Sequence, residues 1–218
     1  MDDNIQLEEL QHDAIIELLN IGMGKAAASL SIMLNEEVKL SIPRLELLTR
    51  QQAAKQLNTQ PQQRIVAIKQ YFYGPFWGEA LLLFQLEKSV ELVRILIKDN
   101  LPSELLTELE ADALMEVGNI ILSACLSSLA NNLTEELTSD LPLFVTGTAV
   151  EILEINASQK NEVIMLLRMD FALKNKDIDG YVAFILELPS IKQFKSSIDQ
   201  FLGKLRPSRR DREASLML

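Results

Sequence analysis

The chain is short of what a histidine- or cysteine-based centre requires. Among 218 residues there is one cysteine, Cys125, and one histidine, His12. A single cysteine excludes an internal disulfide, and the two together exclude a site built mainly from His and Cys. One histidine also limits the chain to one His-dependent triad. Cations are scarce as well: 21 Lys and Arg stand against 31 Asp and Glu, a net charge of -10. Nucleic-acid binders displace counterions with a basic surface, so the balance argues against nucleic acid as a partner. No apolar run approaches the roughly 20 residues of a membrane span. The opening Met1-Asp2-Asp3 lacks the basic start and apolar stretch of a secretory signal. The expectation is a cytoplasmic protein with no membrane partner. What is present is ordinary for a globular chain: 48% of residues are hydrophobic and 24% charged, enough for a sizeable core.

From about Leu7 to Asn35, Leu10, Ala14, Leu18 and Ile21 recur at helical spacing with Ile15 and Leu19 beside them, which predicts one long helix. Val38 and Leu40 flank Lys39 ahead of Pro43, a short strand. Thr49 to Leu57 reads as a short helix. Arg64 to Tyr73 and Gly78 to Leu86 are rich in β-branched, aromatic and aliphatic residues and are joined through Gly74-Pro75, which predicts a hairpin. Glu87 to Lys98 returns to helical spacing, closed by Asn100 and Pro102. The same order then comes again. Ser103 is placed to cap a second long helix reaching about Leu133. Phe144 to Ile155 is a strand candidate, and Val163 to Leu173 and Tyr181 to Leu188 pair around Lys174 to Gly180. Pro189 opens a last helix with Ile191, Phe194, Ile198 and Phe201 on its buried side.

The recurrence has a fixed offset. Asp13, Glu17, Asn20 and Pro43 fall 99 residues before Asp112, Glu116, Asn119 and Pro142. Further along, Gly78 to Leu86 lies over Gly180 to Leu188 at an offset of 102. Such self-similarity predicts one domain over residues 1–203, made of two repeats of about 1–100 and 101–203. Residues 204–218 hold five cations against two anions and are expected to form a basic, mobile tail.

On a helix, positions i, i+4 and i+7 share a face, so each Asp-Glu-Asn set forms a polar stripe about two turns long. A solvated stripe is the plain reading for either one alone; its repetition weighs against that. Asn is the informative member, because in mid-helix it competes with the backbone for hydrogen bonds and is a poor solvated-face residue. Its carbonyl can accept from a water while its NH₂ donates to a second oxygen, which fixes the water's direction. An amide is no general base, so the chemistry suited to it is orienting a water toward an already activated phosphoryl group. A Glu one turn earlier can pair with a partner's lysine and set the docking register.

Asp-x3-Glu-x2-Asn-x22-Pro, present twice, resembles the signature of the CheC-type chemotaxis phosphatases. Asn20-Ile21-Gly22-Met23-Gly24-Lys25-Ala26-Ala27 is similar to that family's Asn-Ile-Gly-x-Gly-Asn-Ala-Ala segment, and Glu116-Val117-Gly118-Asn119-Ile120-Ile121-Leu122-Ser123 to the start of its second motif. The resemblance spans roughly residues 7–203. It implies an α/β fold with pseudo-twofold symmetry, in which two long exposed motif helices lie on a mostly antiparallel sheet. It implies as substrate the phosphoaspartate of a CheY-like response regulator, which brings Mg²⁺ and its own lysine; no cofactor is expected in this chain. Glu17 and Glu116 would contact that lysine, and Asn20 and Asn119 would orient the hydrolytic water. Asp13, Asp112, Pro43 and Pro142 would be supporting. A CheD-type receptor deamidase is a further partner that the family allows.

Two residues depart from the pattern. Leu19 stands where the family has Gly before the first Asn, so it either hinders a partner's approach or turns inward; Lys25 replaces an Asn. Both stripes are expected to be sites, the second the better match. These departures favour the alternative, a non-catalytic adaptor that holds a receiver domain or a deamidase on the same face. A third reading is a scaffold whose stripes are merely wet. Gly22 and Gly24 are expected to serve close helix packing; a phosphate loop would need an upstream Gly and a Ser or Thr after Lys25. His12 is expected at the surface and Cys125 buried. Tyr71, Tyr73, Phe76 and Trp77 are expected to pack the hairpin.

Overall fold

The structure is a computed structural model and describes residues 6–58, 63–97, 108–154, 162–173 and 176–205. The predicted cap Ser103, the helix-closing Asn100 and Pro102, Lys174 and the tail from residue 206 onward lie outside the described residues. The chain runs α1 (Glu9–Leu34), β1 (Val38–Leu48), α2 (Arg50–Leu57), β2 (Arg64–Tyr73), β3 (Gly78–Gln85) and α3 (Leu86–Ile97). It continues as α4 (Glu108–Leu133), β4 (Thr138–Ser139), β5 (Leu143–Thr148), α5 (Ala149–Ile152), β6 (Glu162–Leu173), β7 (Lys176–Glu187) and α6 (Leu188–Leu205).

The seven strands form one sheet in the order β1-β6-β7-β3-β2-β4, with β5 also on β2, and every pairing is antiparallel. Exchanging each first-half strand for its second-half counterpart reads the order backwards. The two halves therefore meet along β3 and β7, where Leu82 faces Val182. Helices cover both faces. On one, α1, α4, α3 and α6 enclose a large core that takes Val66, Ile68 and Phe72 from β2. On the other, α2 and α5 cover a smaller core with Ile65 and Ala67. Central strands buried on both faces need near-continuous apolar runs, which is why β2, β3, β6 and β7 were legible as strands.

Two boundaries differ from the sequence expectation. β1 runs on to Leu48 through Pro43, because Ile42 and Pro43 bulge against the single residue Met169: Ser41 faces Asp170 and Arg44 faces Arg168. Proline is tolerated at a bulge on an edge strand, where no ladder donor is required of it. The strand expected over Phe144 to Ile155 stops at Thr148, and α5 follows. Thr148 accepts from the Glu151 N–H while the Glu151 carboxylate accepts from the Thr148 N–H. This capping box lies 99 residues after the Thr49–Gln52 box that opens α2. Thr49→Ala removes an acceptor for the Gln52 N–H and is expected to cost about 1 kcal/mol, read as a fall in thermal midpoint.

Both long helices contain stretches apolar enough in composition to cross a membrane. In this fold 39% and 50% of those stretches are buried in the core, while Ile21, Ile32 and Met33 of α1 stay exposed alongside the acids.

Candidate functional site

Helices α1 and α4 pack side by side and antiparallel. A Cβ on Gly22 would lie 2.8 Å from the Ala124 carbonyl oxygen and 3.0 Å from Cys125 Cα, and Ser128 Oγ donates to the Leu18 carbonyl at 2.5 Å. Gly22 thus has the close-packing role expected of it. Gly24 does not: a Cβ there meets nothing within 4 Å. Counting along the antiparallel pair from Gly22, Asn20 and Asn119 sit about seven residues apart in level, ~10 Å along the axis, so the stripes are two separate surfaces.

In both stripes the acids face out. Asp13, Glu17, Asp112 and Glu116 are exposed, while Asn20 and Asn119 are half-buried where each helix meets the sheet edge. Ile15, Leu18 and Leu114 and Val117 turn inward. Leu19 is 0% exposed, which settles its direction: it packs in the core and leaves the way to Asn20 clear. Gly118 faces the core too, and a Cβ there would fall 2.5 Å from the Ile68 side chain.

The two amides are used differently. The Ile42 N–H donates to Asn20 Oδ1 at 2.8 Å, and Asn20 Nδ2 donates to the Ile42 carbonyl at 3.1 Å. Ile42 sits in the β1 bulge, so its backbone groups are met from the helix side and not from the ladder. The clasp engages both the oxygen and the nitrogen of the Asn20 carboxamide and so fixes its orientation, and Ile42 is 1% exposed. The equivalent of Ile42 is Leu141, 84% exposed between β4 and β5. Among the described residues Asn119 makes one hydrogen bond, accepting at Oδ1 from Ser123 Oγ at 3.2 Å. Its NH₂ has no partner among them. Ser123 is one turn along the helix; the matching residue in α1 is Gly24, which has no side chain to offer.

Pro43 is exposed in the β1 bulge and Pro142 half-buried in the break between β4 and β5. His12 is half-buried rather than fully at the surface. Its Nε2 lies 3.2 Å from the Leu45 carbonyl and its Nδ1 3.5 Å from Asp13. Beside Asn119, a groove of about 580 Å³ runs along α4, lined by Ser123, Ser127, Asn131, Glu135 and Ser139 among others. Cys125 is buried and its thiol is pushed up to about 12 by that burial, so it offers no thiolate. Among the described residues no group of three His, Cys, Asp or Glu is placed to hold a metal ion.

No protein-family profile matches the chain. A curated relative, the flagellar motor switch phosphatase FliY of Bacillus subtilis (strain 168), is 25% identical over 201 residues. The match takes in 88% of this chain and 50% of that protein, so the chain spans about half the length of this relative. FliY of Thermotoga maritima superposes with a TM-score of 0.74 over 90% of this chain and 100% of that one, at 14% identity. A CheX of Desulfovibrio desulfuricans does so with a TM-score of 0.51 over 79% and 100%, at 16% identity.

The chain has the fold of FliY and CheX.

The same fold occurs in the FliM middle domain of Vibrio alginolyticus, which superposes with a TM-score of 0.62 over 84% of this chain and 99% of that one, at 15% identity. The likeness therefore bears on the scaffold and leaves the chemistry to the stripes. Two residues beside the α4 stripe had no role in the sequence reading, Ser123 and Gln70. Ser123 was visible only as a motif residue. Gln70 Nε2 donates to the Asp140 carbonyl at 2.8 Å and to Ser139 Oγ at 3.2 Å, in the segment that carries Pro142. The signal that could have found it is its place 99 residues before Met169: a polar residue in one half where the other has an apolar one.

Proposed function

We propose that the chain is a phosphatase for the phosphoaspartate of a CheY-like response regulator and that the α4 stripe carries the chemistry. The observation behind this reading is the exposed Glu116 one turn from a half-buried Asn119 whose NH₂ is unengaged among the described residues. The partner would supply Mg²⁺ and the lysine that pairs with Glu116. Asn119 would then hold a water in line with the acyl phosphate. The water oxygen forms the new bond to phosphorus as the bond to the aspartyl oxygen breaks; the carboxylate leaves and the phosphate takes the proton. Little covalent work falls to the protein in such a transfer, so positioning suffices. That B. subtilis FliY is called a phosphatase supports the reading.

Glu17 would act in docking, and Asn20, held by Ile42, would keep β1 in place beside it. The alternative is an adaptor that binds a receiver without hydrolysis. The doubly bonded Asn20 favours it for the α1 stripe.

The test is decay of a phosphorylated CheY-like receiver in Mg²⁺ with and without the protein. Acceleration by the wild type, lost in Glu116→Lys, is the expected result. An unchanged lifetime despite a stable complex overturns catalysis in favour of the adaptor. Acceleration by Glu116→Lys equal to that of wild type removes Glu116 from the docking role.

A further inference from the structure

The geometry points to Gln70 as the positioning residue that keeps Asn119 available: it holds the irregular backbone beside the α4 stripe and so takes over the task that occupies Asn20 in the other half. This rests on the phosphatase reading above.

The equivalence comes from the sheet register. Met169 faces the Ile42-Pro43 bulge, since its neighbours Asp170 and Arg168 face Ser41 and Arg44. In the second half Lys69 faces Leu143, and the Tyr71 carbonyl accepts from the Asp140 N–H. Gln70 therefore faces Leu141-Pro142 as Met169 faces Ile42-Pro43. Both side chains are buried. A thioether has no donor and is only a weak acceptor, and on that side Asn20 reaches down from the helix to meet the strand backbone. Gln70 reaches one such group, the Asp140 carbonyl, and the Ser139 hydroxyl, and so anchors the segment from the strand beneath.

Two further observations fit. Gln70 is 2% exposed and its Oε1 has no hydrogen-bond partner. An unpaired buried acceptor is destabilising, and an apolar residue of similar shape would avoid that loss; the NH₂ donor is what a Met at this position would lack. Gln70 also lies on the helix-facing side of β2, two residues from Ile68, whose side chain lies under Gly118, the residue before Asn119. The residue after its anchor point, Leu141, points to solvent, whereas Ile42 is drawn into the core.

The test gives the second half the first half's residue. In Gln70→Met, kcat for phosphate release from the phosphorylated receiver is expected to fall at least about tenfold, with KM changed by less than about threefold. The Asn119 side-chain NH₂ protons are expected to become slow to exchange with solvent. In the wild-type protein the same NMR measurement should show Asn20 protected and Asn119 exchanging freely, and this holds whether or not the variant folds. Wild-type Asn119 as protected as Asn20 overturns the proposal. So does a Gln70→Met enzyme with wild-type kcat where Asn119→Ala is inactive, and that outcome leaves the phosphatase reading standing. Loss of neither activity in Gln70→Met nor in Asn119→Ala removes the phosphatase reading, and with it the role of Gln70.

Discussion

Asn119→Ala should slow phosphate release from a phosphorylated receiver by about 10- to 1000-fold, a loss of roughly 1.4–4 kcal/mol of transition-state stabilisation. Asn20→Ala should do something else. Asn20 bonds both polar groups of Ile42, so its removal leaves an N–H and a carbonyl of a nearly inaccessible residue without their partners. The expected cost is about 1–3 kcal/mol of folding stability, with the rate of phosphate release little changed. Urea unfolding and phosphate release on the two single variants separate the roles. If Asn20→Ala lost as much activity as Asn119→Ala while keeping its stability, the α1 stripe would be a second equal catalytic surface and the clasp would be incidental.

The split follows from small differences on a shared scaffold. Each half presents a Glu and an Asn from a helix above an interrupted edge strand. In the α1 half the residue below is Met169, the residue one turn on is Gly24, and the amide is left to satisfy the strand. In the α4 half the residue below is Gln70, the residue one turn on is Ser123, and the amide is steadied by a neighbour's hydroxyl while the strand is met from beneath. A carboxamide pinned through both its oxygen and its nitrogen is fixed in direction, and turning it toward a substrate would break bonds already made.

Much of this was readable in the residues. Long helical periods in α1 and α4, the hairpin through Gly74-Pro75, and the apolar runs of β2, β3, β6 and β7 were all set by local pattern. The exposure of Glu17 and Glu116 followed from their place on those helices. What was not readable depends on contacts distant in the chain. The continuation of β1 past Pro43 requires the bulge against Met169 and the amide of Asn20. The end of β5 at Thr148 was marked locally, by a Thr and a Glu three apart, but the apolar Ala149, Val150, Ile152 and Leu153 mimic a strand. The inward turn of Leu19 needed the packed core to decide it. The different fates of Asn20 and Asn119, the same residue at the same place in a repeated motif, are set by Met169 and Gln70 across the sheet and by Gly24 and Ser123 one turn along each helix, none of them an Asp, Glu, Asn or Pro of the repeated spacing.

Three glycines within the motifs differ in what a methyl would meet: Gly22 reports the α1–α4 contact, Gly118 the seat of α4 on β2, and Gly24 open space. Gly24→Ala places a methyl where nothing lies within 4 Å, so only backbone entropy changes and the protein should gain about 0.5–1 kcal/mol. Gly22→Ala has the same intrinsic gain but drives its methyl to 2.8 Å from the Ala124 carbonyl, which is helix backbone and cannot rotate away. The helices must part, and overpacking of this kind costs about 1–3 kcal/mol, so the net effect is a loss. Gly118→Ala meets Ile68 at 2.5 Å, a β-branched side chain stiff at its first torsion, and should lose a comparable amount. Because Gly118 precedes Asn119, displacement there should also lower phosphate release, whereas Gly22→Ala should lower stability with the smaller effect on rate. Urea unfolding of the three variants, with phosphate release on each, checks the series. A Gly22→Ala protein as stable as Gly24→Ala would mean that the helices do not approach at Gly22, and the relative placement of the two stripes would have to be redrawn.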